Sequence, residues 1–267
     1  MNQVSSTYMG GLGNRLFQFA VSYAYAKNTG RQAVIGLNHY QSNPHSSIDY
    51  LNTIFSKIGK VQFQHHRHIY EPGSKNISYF HLPTFGNNFT GNILLFGYFQ
   101  CEKYFKNHRE ELKNLFVLPE INELPKSNSI YLHVRRGDYT RLPLHGGYNY
   151  DLYYKNALDN MKNKYDNLNV YVFSNEIEWC KNWKLLEQYE GYNFHFPELN
   201  ELETLKFMTL CDRGGIGANS SFSWWGGYLN DAKDKTVIFP DKWFFEEPYS
   251  KYENDIAFEG SIRLKCI

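Results

Sequence analysis

The segment IYLHVRRGDY, residues 130–139, carries two adjacent arginines at the end of an apolar run typical of a buried strand. Strand alternation places His133 and Arg135 on one face of that strand. Arg136 and Asp138 follow at the carboxyl end, where parallel α/β sheets bind ligands. Two neighbouring guanidinium groups repel each other, and their forked donors match a pyrophosphate. We therefore expect a diphosphate site, with Asp138 orienting one arginine. The alternative is a pair of solvated arginines.

A second candidate anion site is the segment GGIGANSSFSWWGGYLN, residues 214–230. A strand of small residues leads into a Ser/Asn-rich turn and then into an aromatic helix. Ser220, Ser221 and Ser223 offer hydroxyls beside the free N–H groups of the helix start, which attract anions. The aromatic residues that follow are expected to pack in the core rather than to stack on sugars.

The segment MGGLGNRLFQFA, residues 9–20, carries three glycines between a predicted strand and a predicted helix. Gly11 and Gly13 let the backbone approach a ligand closely, and Asn14 is predicted to cap the helix. A tight turn that merely needs glycine is an equally good interpretation. A dinucleotide-binding fingerprint fits less well, because no third glycine follows at the required spacing and the next strand lacks a ribose-binding acid.

Three further patterns carry weaker signals. The segment VYVFSNEIEWC, residues 170–180, ends a predicted strand at Ser174 and Asn175, which could form the rim of a nucleotide site or simply cap a helix. The histidine-rich segment HHRH, residues 65–68, is predicted to be a solvated loop rather than a metal site. Four widely spaced cysteines form no CxxC pair, which argues against a zinc site or a disulfide framework.

Short apolar runs alternate with amphipathic stretches along the chain. Strands are predicted at Ser5–Met9, Ala33–Leu37, Asn92–Phe99, Ser129–Val134, Asn169–Phe173, Gly215–Ala218 and Thr236–Phe239. Helices are predicted at Asn14–Lys27, Lys103–Phe116, Asp151–Tyr165, Glu176–Leu186, Glu201–Leu210 and Ser221–Asn230. Alternation of this kind indicates an α/β protein with parallel sheets covered by helices.

Length and charge limit the architecture further. A chain of 267 residues fits one large or two compact domains. The polar stretch 120–128, which contains Pro125, is the predicted linker between a half spanning 1–120 and a half spanning 129–267. A formal net charge of +1 gives no overall field to attract nucleic acid or an acidic membrane. With no signal peptide and no apolar stretch of about 18 residues, the chain is expected to be cytoplasmic.

Four segments in this order resemble the α-1,2-fucosyltransferases of glycosyltransferase family 11, which are mostly bacterial: GGLGNRLFQFA, HVRRGD, FSNEIEW and ANSSFSWWGGYL. The resemblance covers nearly the whole chain. Its HxRRxD element is shared with other fucosyltransferases and implies transfer from GDP-fucose, whereas the last two segments narrow the likeness to the α-1,2 type. Two departures bear on the acceptor more than on the donor. Arg15 stands where the family usually has Gln, and the segment 211–215 is glycine-rich where the family usually has His or Asn before two isoleucines.

The resemblance implies a GT-B-like fold, two facing Rossmann-like halves, with GDP-fucose held mainly by the C-terminal half and the acceptor on the N-terminal side. It implies catalytic roles for Arg135, which would stabilise the departing GDP, and for Asp138. Residues implied to bind the donor are Gly11, Gly13, Asn14, His133, Arg136, Ser174, Asn219, Ser220, Ser221, Phe222 and Ser223. No metal and no cofactor besides the donor are implied, because arginines and a helix start would take the place of a divalent cation.

The reaction that the resemblance implies is metal-independent, inverting transfer of L-fucose to the 2-hydroxyl of an acceptor, most simply a β-galactoside. A general base would help, and the sequence leaves Asp138, His39, His145 and Glu176 open for that role. The expected partners are GDP-fucose and a glycan, not nucleic acid, and peripheral membrane association stays open. Two alternatives are an enzyme for another linkage, acceptor or GDP-sugar, and a glycan-binding relative that has lost catalysis.

Overall fold

The computed structural model describes residues 2–43, 46–72, 78–85, 89–147, 149–247 and 255–267. They form two compact units. The first unit comprises Met1–Val117 with Asn254–Ile256, and the second comprises Leu118–Glu253 with Ala257–Ile267. The predicted linker at 120–128 lies in the second unit.

The first unit is built on a four-stranded sheet in the order β2-β1-β6-β5, with a two-stranded pair β3-β4 beside it. Every strand pairing in this unit that the described residues make is parallel. The strands are β1 (Gln3–Ser6), β2 (Gln32–Ala33), β3 (Ile35–Gly36), β4 (Lys60–Val61), β5 (Arg67–Tyr70) and β6 (Ile93–Phe96). The α-helices are α1 (Leu12–Asn28) and α2 (Arg109–Leu115).

Helix α1 follows the glycine turn and is buried along most of its length, including Leu16, Phe17 and Ala20. It begins at Leu12 with Gly11 in the N-cap position and no side-chain cap, so the prediction that Asn14 caps the helix is wrong. The Asn14 side chain instead accepts a hydrogen bond from Gln100 Nε2 at 2.7 Å. Asn14 is the third residue of the helix, so its side-chain oxygen is available for this tertiary contact.

The second unit is built on a six-stranded sheet in the order β12-β11-β10-β7-β8-β9. All of its described pairings are parallel. The strands are β7 (Ser129–Val134), β8 (Asn169–Ser174), β9 (Asn193–His195), β10 (Gly214–Ile216), β11 (Thr236–Pro240) and β12 (Ile262–Leu264). The α-helices are α3 (Tyr150–Lys162), α4 (Ile177–Lys181), α5 (Glu201–Leu210) and α6 (Ser221–Tyr228).

Strand β7 is buried at all six positions because helices cover both faces of the sheet. Ile130 and Leu132 belong to a core cluster that includes Leu158 of α3. Tyr131 belongs to a second cluster that includes Phe207 of α5. The strand therefore holds its carboxyl end in a fixed place between two packed layers.

The predicted α/β class with parallel sheets is confirmed, and the differences lie in short elements. Strands β4, β5, β9 and β12 were not predicted. The prediction of a loop at HHRH is wrong, since Arg67 and His68 begin the edge strand β5. The cysteines Cys101, Cys180, Cys211 and Cys266 are all reduced and buried. Among the described residues, no helix has the length and apolar character needed to cross a membrane.

Candidate active site

The two adjacent arginines leave β7 at its carboxyl end, next to the ends of β8 and β10, which pair with β7 on either side. Gly137 adopts φ = +64°, a backbone conformation that favours glycine, and starts a short 3₁₀ turn over Gly137–Thr140. A Cβ atom at Gly137 would lie 2.5 Å from Asn175 Nδ2. The turn is therefore tight for two reasons, its backbone conformation and the close approach of the β8 end.

Arg135 is held by a carboxylate and by a ring. Its Nη2 donates to Asp138 Oδ1 at 2.8 Å, and its guanidinium carbon lies 5.0 Å from the centroid of the Tyr139 ring. Tyr139 stacks on His145 at 3.9 Å with an interplanar angle of 5°, and His145 lies 5.5 Å from Phe244. We call Tyr139, His145 and Phe244 the ring column. It supports one side of the Arg135 side chain.

Burial is the largest influence on His145 and lowers its pKa to about 4. The charge of Asp138 acts in the opposite direction, and that of Arg135 lowers the pKa slightly further. The imidazole is therefore neutral near pH 7. Its Nδ1 is buried and makes no hydrogen bond with any residue that the structure describes. The structure thus places this candidate base in the packing around Arg135, while a second candidate, Asp138, is hydrogen bonded to Arg135 itself.

Arg136 is enclosed more completely than Arg135. Its Nε donates to Glu176 Oε2 at 2.9 Å, and its guanidinium carbon lies 3.8 Å from the centroid of the Trp179 ring and 5.0 Å from that of Tyr150. Its backbone N–H donates to Asn175 Oδ1 at 2.9 Å. The FSNEIEW segment after β8 thus fixes the HVRRGD turn after β7, and the candidate base Glu176 serves there as the partner of an arginine.

His133 lies behind these arginines. It is 7% exposed, and its ring is 5.5 Å from that of Phe222 at the start of α6. Burial, with a smaller contribution from Arg135, lowers the pKa of His133 to about 3, so the ring is neutral at physiological pH. Its Nδ1 is buried and has no hydrogen-bond partner within the described part of the chain. His133 therefore connects the arginine turn to the serine-rich turn through ring packing.

The serine-rich turn follows β10 and is satisfied largely by its own backbone. Ser223 Oγ lies 3.1 Å from the Ser220 carbonyl oxygen and 3.3 Å from that of Ala218, and the side chain is fully buried. Asn219 Nδ2 donates to the Trp243 carbonyl at 3.0 Å. Ser221 and Phe222 are half-buried at the first positions of α6. The two tryptophans after them are fully buried, which confirms that they pack in the core.

The structure brings most of the predicted site residues together at one edge of the second unit's sheet. The ends of β8, β7 and β10 supply Ser174, the HVRRGD residues and the Asn219–Ser223 turn. Ser174 Oγ accepts from the Glu176 N–H at 3.0 Å. Gly11, Gly13 and Asn14 belong to the first unit, as does the candidate base His39.

The rings that hold the arginines were missed by the sequence reasoning. Trp179 and Tyr150 flank Arg136, and Tyr139 flanks Arg135. The one signal available was the spacing of Trp179, which follows Glu176 by one turn of a predicted helix. Within the described ranges no group of three or more His, Cys, Asp or Glu side chains is placed to hold a metal ion.

A sequence profile described as "Glycosyl transferase family 11" matches residues 2–259. The chain belongs to glycosyltransferase family 11. One relative, the α-1,2-colitosyltransferase of Escherichia coli, is 30% identical over 95% of this chain and 96% of its own. Another, the O-antigen biosynthesis glycosyltransferase WbnK of Escherichia coli, is 25% identical over 94% of this chain and 98% of its own.

The fold of this family 11 chain is also similar to a solved structure, that of a mutant of Arabidopsis thaliana FUT1 in complex with GDP. The TM-score is 0.52 at 14% identity, with 93% of this chain and 73% of that chain covered. A likeness at this level of identity concerns the fold alone. It confirms the predicted GT-B-like class for the family 11 chain.

Proposed function

We propose that this glycosyltransferase moves L-fucose from GDP-fucose to the 2-hydroxyl of a galactoside, with inversion and without a metal ion. The observation that carries the proposal is the pair of arginines at the end of β7, each held by a carboxylate and an aromatic ring. Such a pair offers fixed, forked donors to a diphosphate. The HxRRxD pattern in which it stands resembles that of fucosyltransferases.

Arg135 and Arg136 have different parts in this proposal. Arg136 is enclosed by Glu176 and Trp179 and positions the diphosphate of the donor. Arg135 has fewer contacts and binds the oxygen on which negative charge grows as the bond to the sugar breaks. A fixed donor of this kind contributes about 3 kcal/mol to the transition state. The positive charge of the two arginines and the N–H groups at the start of α6 replace a divalent cation.

Inversion requires the acceptor hydroxyl to attack the sugar on the face opposite GDP, through an oxocarbenium-like transition state. Two of the candidate bases, Asp138 and Glu176, hold arginines, and a third, His145, is packed in the ring column. The fourth, His39, lies in the first unit and stays open as the base. Because positive charge develops on the donor sugar in the transition state, the acceptor hydroxyl needs less activation by a general base. The proposal therefore places most of the catalysis on the leaving-group side.

One observation favours a second donor. A relative that is 30% identical over nearly the whole chain is an α-1,2-colitosyltransferase. Colitose is L-fucose without its 3-hydroxyl, so GDP-colitose and GDP-fucose present the same diphosphate to the arginines. The two donors differ only in contacts to the sugar ring, and a direct competition between them decides which one the enzyme prefers.

The decisive experiment incubates the purified chain with GDP-fucose, GDP-colitose or GDP-mannose and a panel of β-galactosides, with Mg²⁺ or with EDTA. We expect GDP release, a product heavier by one deoxysugar, and an α-1,2 linkage by NMR, all unchanged by EDTA. A strict need for Mg²⁺ or Mn²⁺ would contradict the metal-free mechanism. Binding of glycans with no transfer from any donor would instead favour the glycan-binding alternative.

A further inference from the structure

A continuous row of aromatic rings lies on the first unit and includes the candidate base His39 and two histidines of the HHRH segment. The ring centroids of His39 and His65 are 5.4 Å apart, and those of His65 and His68 are 4.0 Å apart. The row continues from His68 to Tyr70 at 5.4 Å and from Tyr70 to Phe96 at 5.5 Å. We call its outer end, formed by His68, Tyr70 and Phe96, the ring platform.

The ring platform is exposed although two of its members are large aromatic residues. Tyr70 is 60% exposed and Phe96 is 42% exposed. They are register partners on the paired strands β5 and β6, so their side chains lie on the same face of the sheet. His68 lies on that face too, two positions before Tyr70. Clustered exposed aromatic surface of this kind marks an interaction site more often than isolated apolar side chains do.

The position of the ring platform in the sheet points to a ligand. Tyr70 and Phe96 are the last residues of their strands, at the carboxyl edge where parallel α/β sheets bind ligands. The neighbour of β6 on the other side is β1, whose carboxyl end runs into the glycine turn at 10–13. Adjacent strands are about 5 Å apart, so the two strand ends of the platform lie roughly one and two strand spacings from the end of β1.

Hydrogen bonds tie the ring platform and the glycine turn to the same framework. Glu71, directly after Tyr70, accepts from the backbone N–H groups of Tyr98 at 2.6 Å and Phe99 at 2.7 Å, just beyond the end of β6. Phe99 adopts φ = +50°, which is unfavourable for a bulky residue. Gln18 of α1 donates to the Gly97 carbonyl at 3.2 Å and accepts from the Met9 N–H at 3.1 Å. Both strand ends are therefore held in place before a ligand arrives.

The chemistry of the platform fits a neutral sugar. A flat aromatic face packs against the C–H groups of a pyranose ring, and an imidazole can exchange hydrogen bonds with its hydroxyls. By strand alternation, the neighbouring cation Arg67 lies on the opposite face, where its guanidinium contacts the rings of Phe85 and Phe89. A phosphate or an acidic lipid headgroup binds best beside a cation, and the described residues of β5 and β6 place no lysine or arginine on the platform face.

From these observations we infer that the ring platform is an acceptor subsite that binds a sugar ring of an extended glycan other than the ring that receives the transferred sugar. The inference rests on the proposed function, because it takes the acceptor to be a glycan. It predicts that acceptor length matters to this enzyme. A longer acceptor gains affinity from stacking on Tyr70 and Phe96, whereas a single galactoside has no second ring to stack on them.

The test compares two acceptors, methyl β-galactoside and the tetrasaccharide lacto-N-tetraose, on the double variant Tyr70→Ala/Phe96→Ala. We expect KM for the tetrasaccharide to rise about tenfold, with kcat, the donor KM and the KM for methyl β-galactoside changed less than twofold. Tyr70→Phe should retain most of the affinity, since it keeps the ring. The matched control is Leu124→Ala, at a side chain of the second unit that is 62% exposed.

Equal changes in KM for both acceptors, or no change for either, would overturn the subsite. So would a dimer of the unaltered protein that the double variant dissociates in light scattering, because the platform would then be a contact between copies. Saturation-transfer NMR of the tetrasaccharide with the GDP-bound protein measures stacking without turnover. Failure of the proposed function shows as no transfer by the unaltered protein, whereas failure of the subsite alone shows as normal transfer with no dependence on acceptor length.

Discussion

Two turns of the second unit lie at the ends of adjacent parallel strands and treat their polar side chains in opposite ways. After β7, Arg135 and Arg136 are held from the side by Asp138 and Glu176 and by aromatic rings, and their side chains stay 26% and 18% exposed. After β10, the side chain of Ser223 is buried beside the carbonyls of its own turn.

The difference indicates that the side chains of the first turn bind a ligand, whereas those of the second turn stabilise the fold. An arginine has five N–H donors, and the bond from Arg135 to Asp138 uses Nη2 alone, so the guanidinium can still receive an anion. In the serine-rich turn, Ser223 Oγ donates to carbonyls of the turn itself and Asn219 Nδ2 donates to the Trp243 carbonyl, so both donors hold the turn in shape. Substitutions in the first turn should therefore reduce catalysis or donor binding, and substitutions in the second should reduce the free energy of unfolding.

The largest effect is expected for Arg135→Lys. Lysine keeps the charge but loses the planar fork, so kcat should fall about 100-fold or more while the donor KM changes little. Steady-state kinetics with a folded variant measure it. Arg141→Lys, an exposed arginine of the same segment, is the control and should be indistinguishable from the unaltered protein. Turnover near that of the unaltered protein for Arg135→Lys would move the role to Arg136.

The next effect concerns His133, which joins the two turns. Its pKa is about 3 in the folded protein and about 6.5 when unfolded, so the unfolded chain binds more protons between these values. The contribution of His133 to stability is present above pH 6.5. It is lost as the pH falls, by up to about 1.4 kcal/mol per pH unit. The free energy of unfolding, measured with urea at several pH values between 7 and 5, should fall less steeply with decreasing pH for His133→Phe than for the unaltered protein. The same pH dependence in both proteins would contradict this assignment.

A smaller effect is expected for Trp179→Ala, which removes the ring 3.8 Å from the Arg136 guanidinium. Loss of this cation–π contact should weaken GDP binding about tenfold, because Arg136 is then free to leave its position. Calorimetry with GDP measures it. Trp179→Phe, which keeps a ring, should recover most of the affinity, and a failure of that variant to do so would point to lost core packing instead.

The smallest effect is expected for Ser223→Ala. Loss of its buried hydrogen bonds should lower the free energy of unfolding by about 1 kcal/mol, while the affinity for GDP changes less than twofold. If Ser223→Ala weakened GDP binding at unchanged stability, the contrast between the two turns would not hold.

Long apolar elements could be predicted from the sequence, whereas contacts between elements could not. The strand Ser129–Val134 and the helix Glu201–Leu210 have the predicted bounds. The helix is marked at its start by Asn200 and Glu203, which form a capping box. Strands of two to four residues such as β4 and β5 escaped detection, because pairing with neighbours, not local pattern, makes them strands.

In the candidate site, too, the residue types could be predicted from the sequence, whereas the contacts between distant segments could not. The types and order of Arg135, Arg136 and Asp138 predict an anion site, since two adjacent arginines are followed at once by a carboxylate that can orient them. The enclosure of Arg136 by Trp179 depends on the register of β7 against β8, in which Val134 pairs with Ser174. A register between distant segments is a tertiary property, and the sequence near Arg136 carries no sign of it.

The parallel pairing of both sheets has a consequence for how the chain folds. Register partners among the described residues are far apart along the chain, as with Val4 and Ile93 in one sheet and Ser129 and Asn169 in the other, so none of these pairings is a tight hairpin. Each pairing must first close a long loop, and that entropy is lost before the contacts that compensate for it have formed. Refolding from denaturant should therefore be slow, and dilute protein at low temperature should recover more activity than concentrated protein at high temperature.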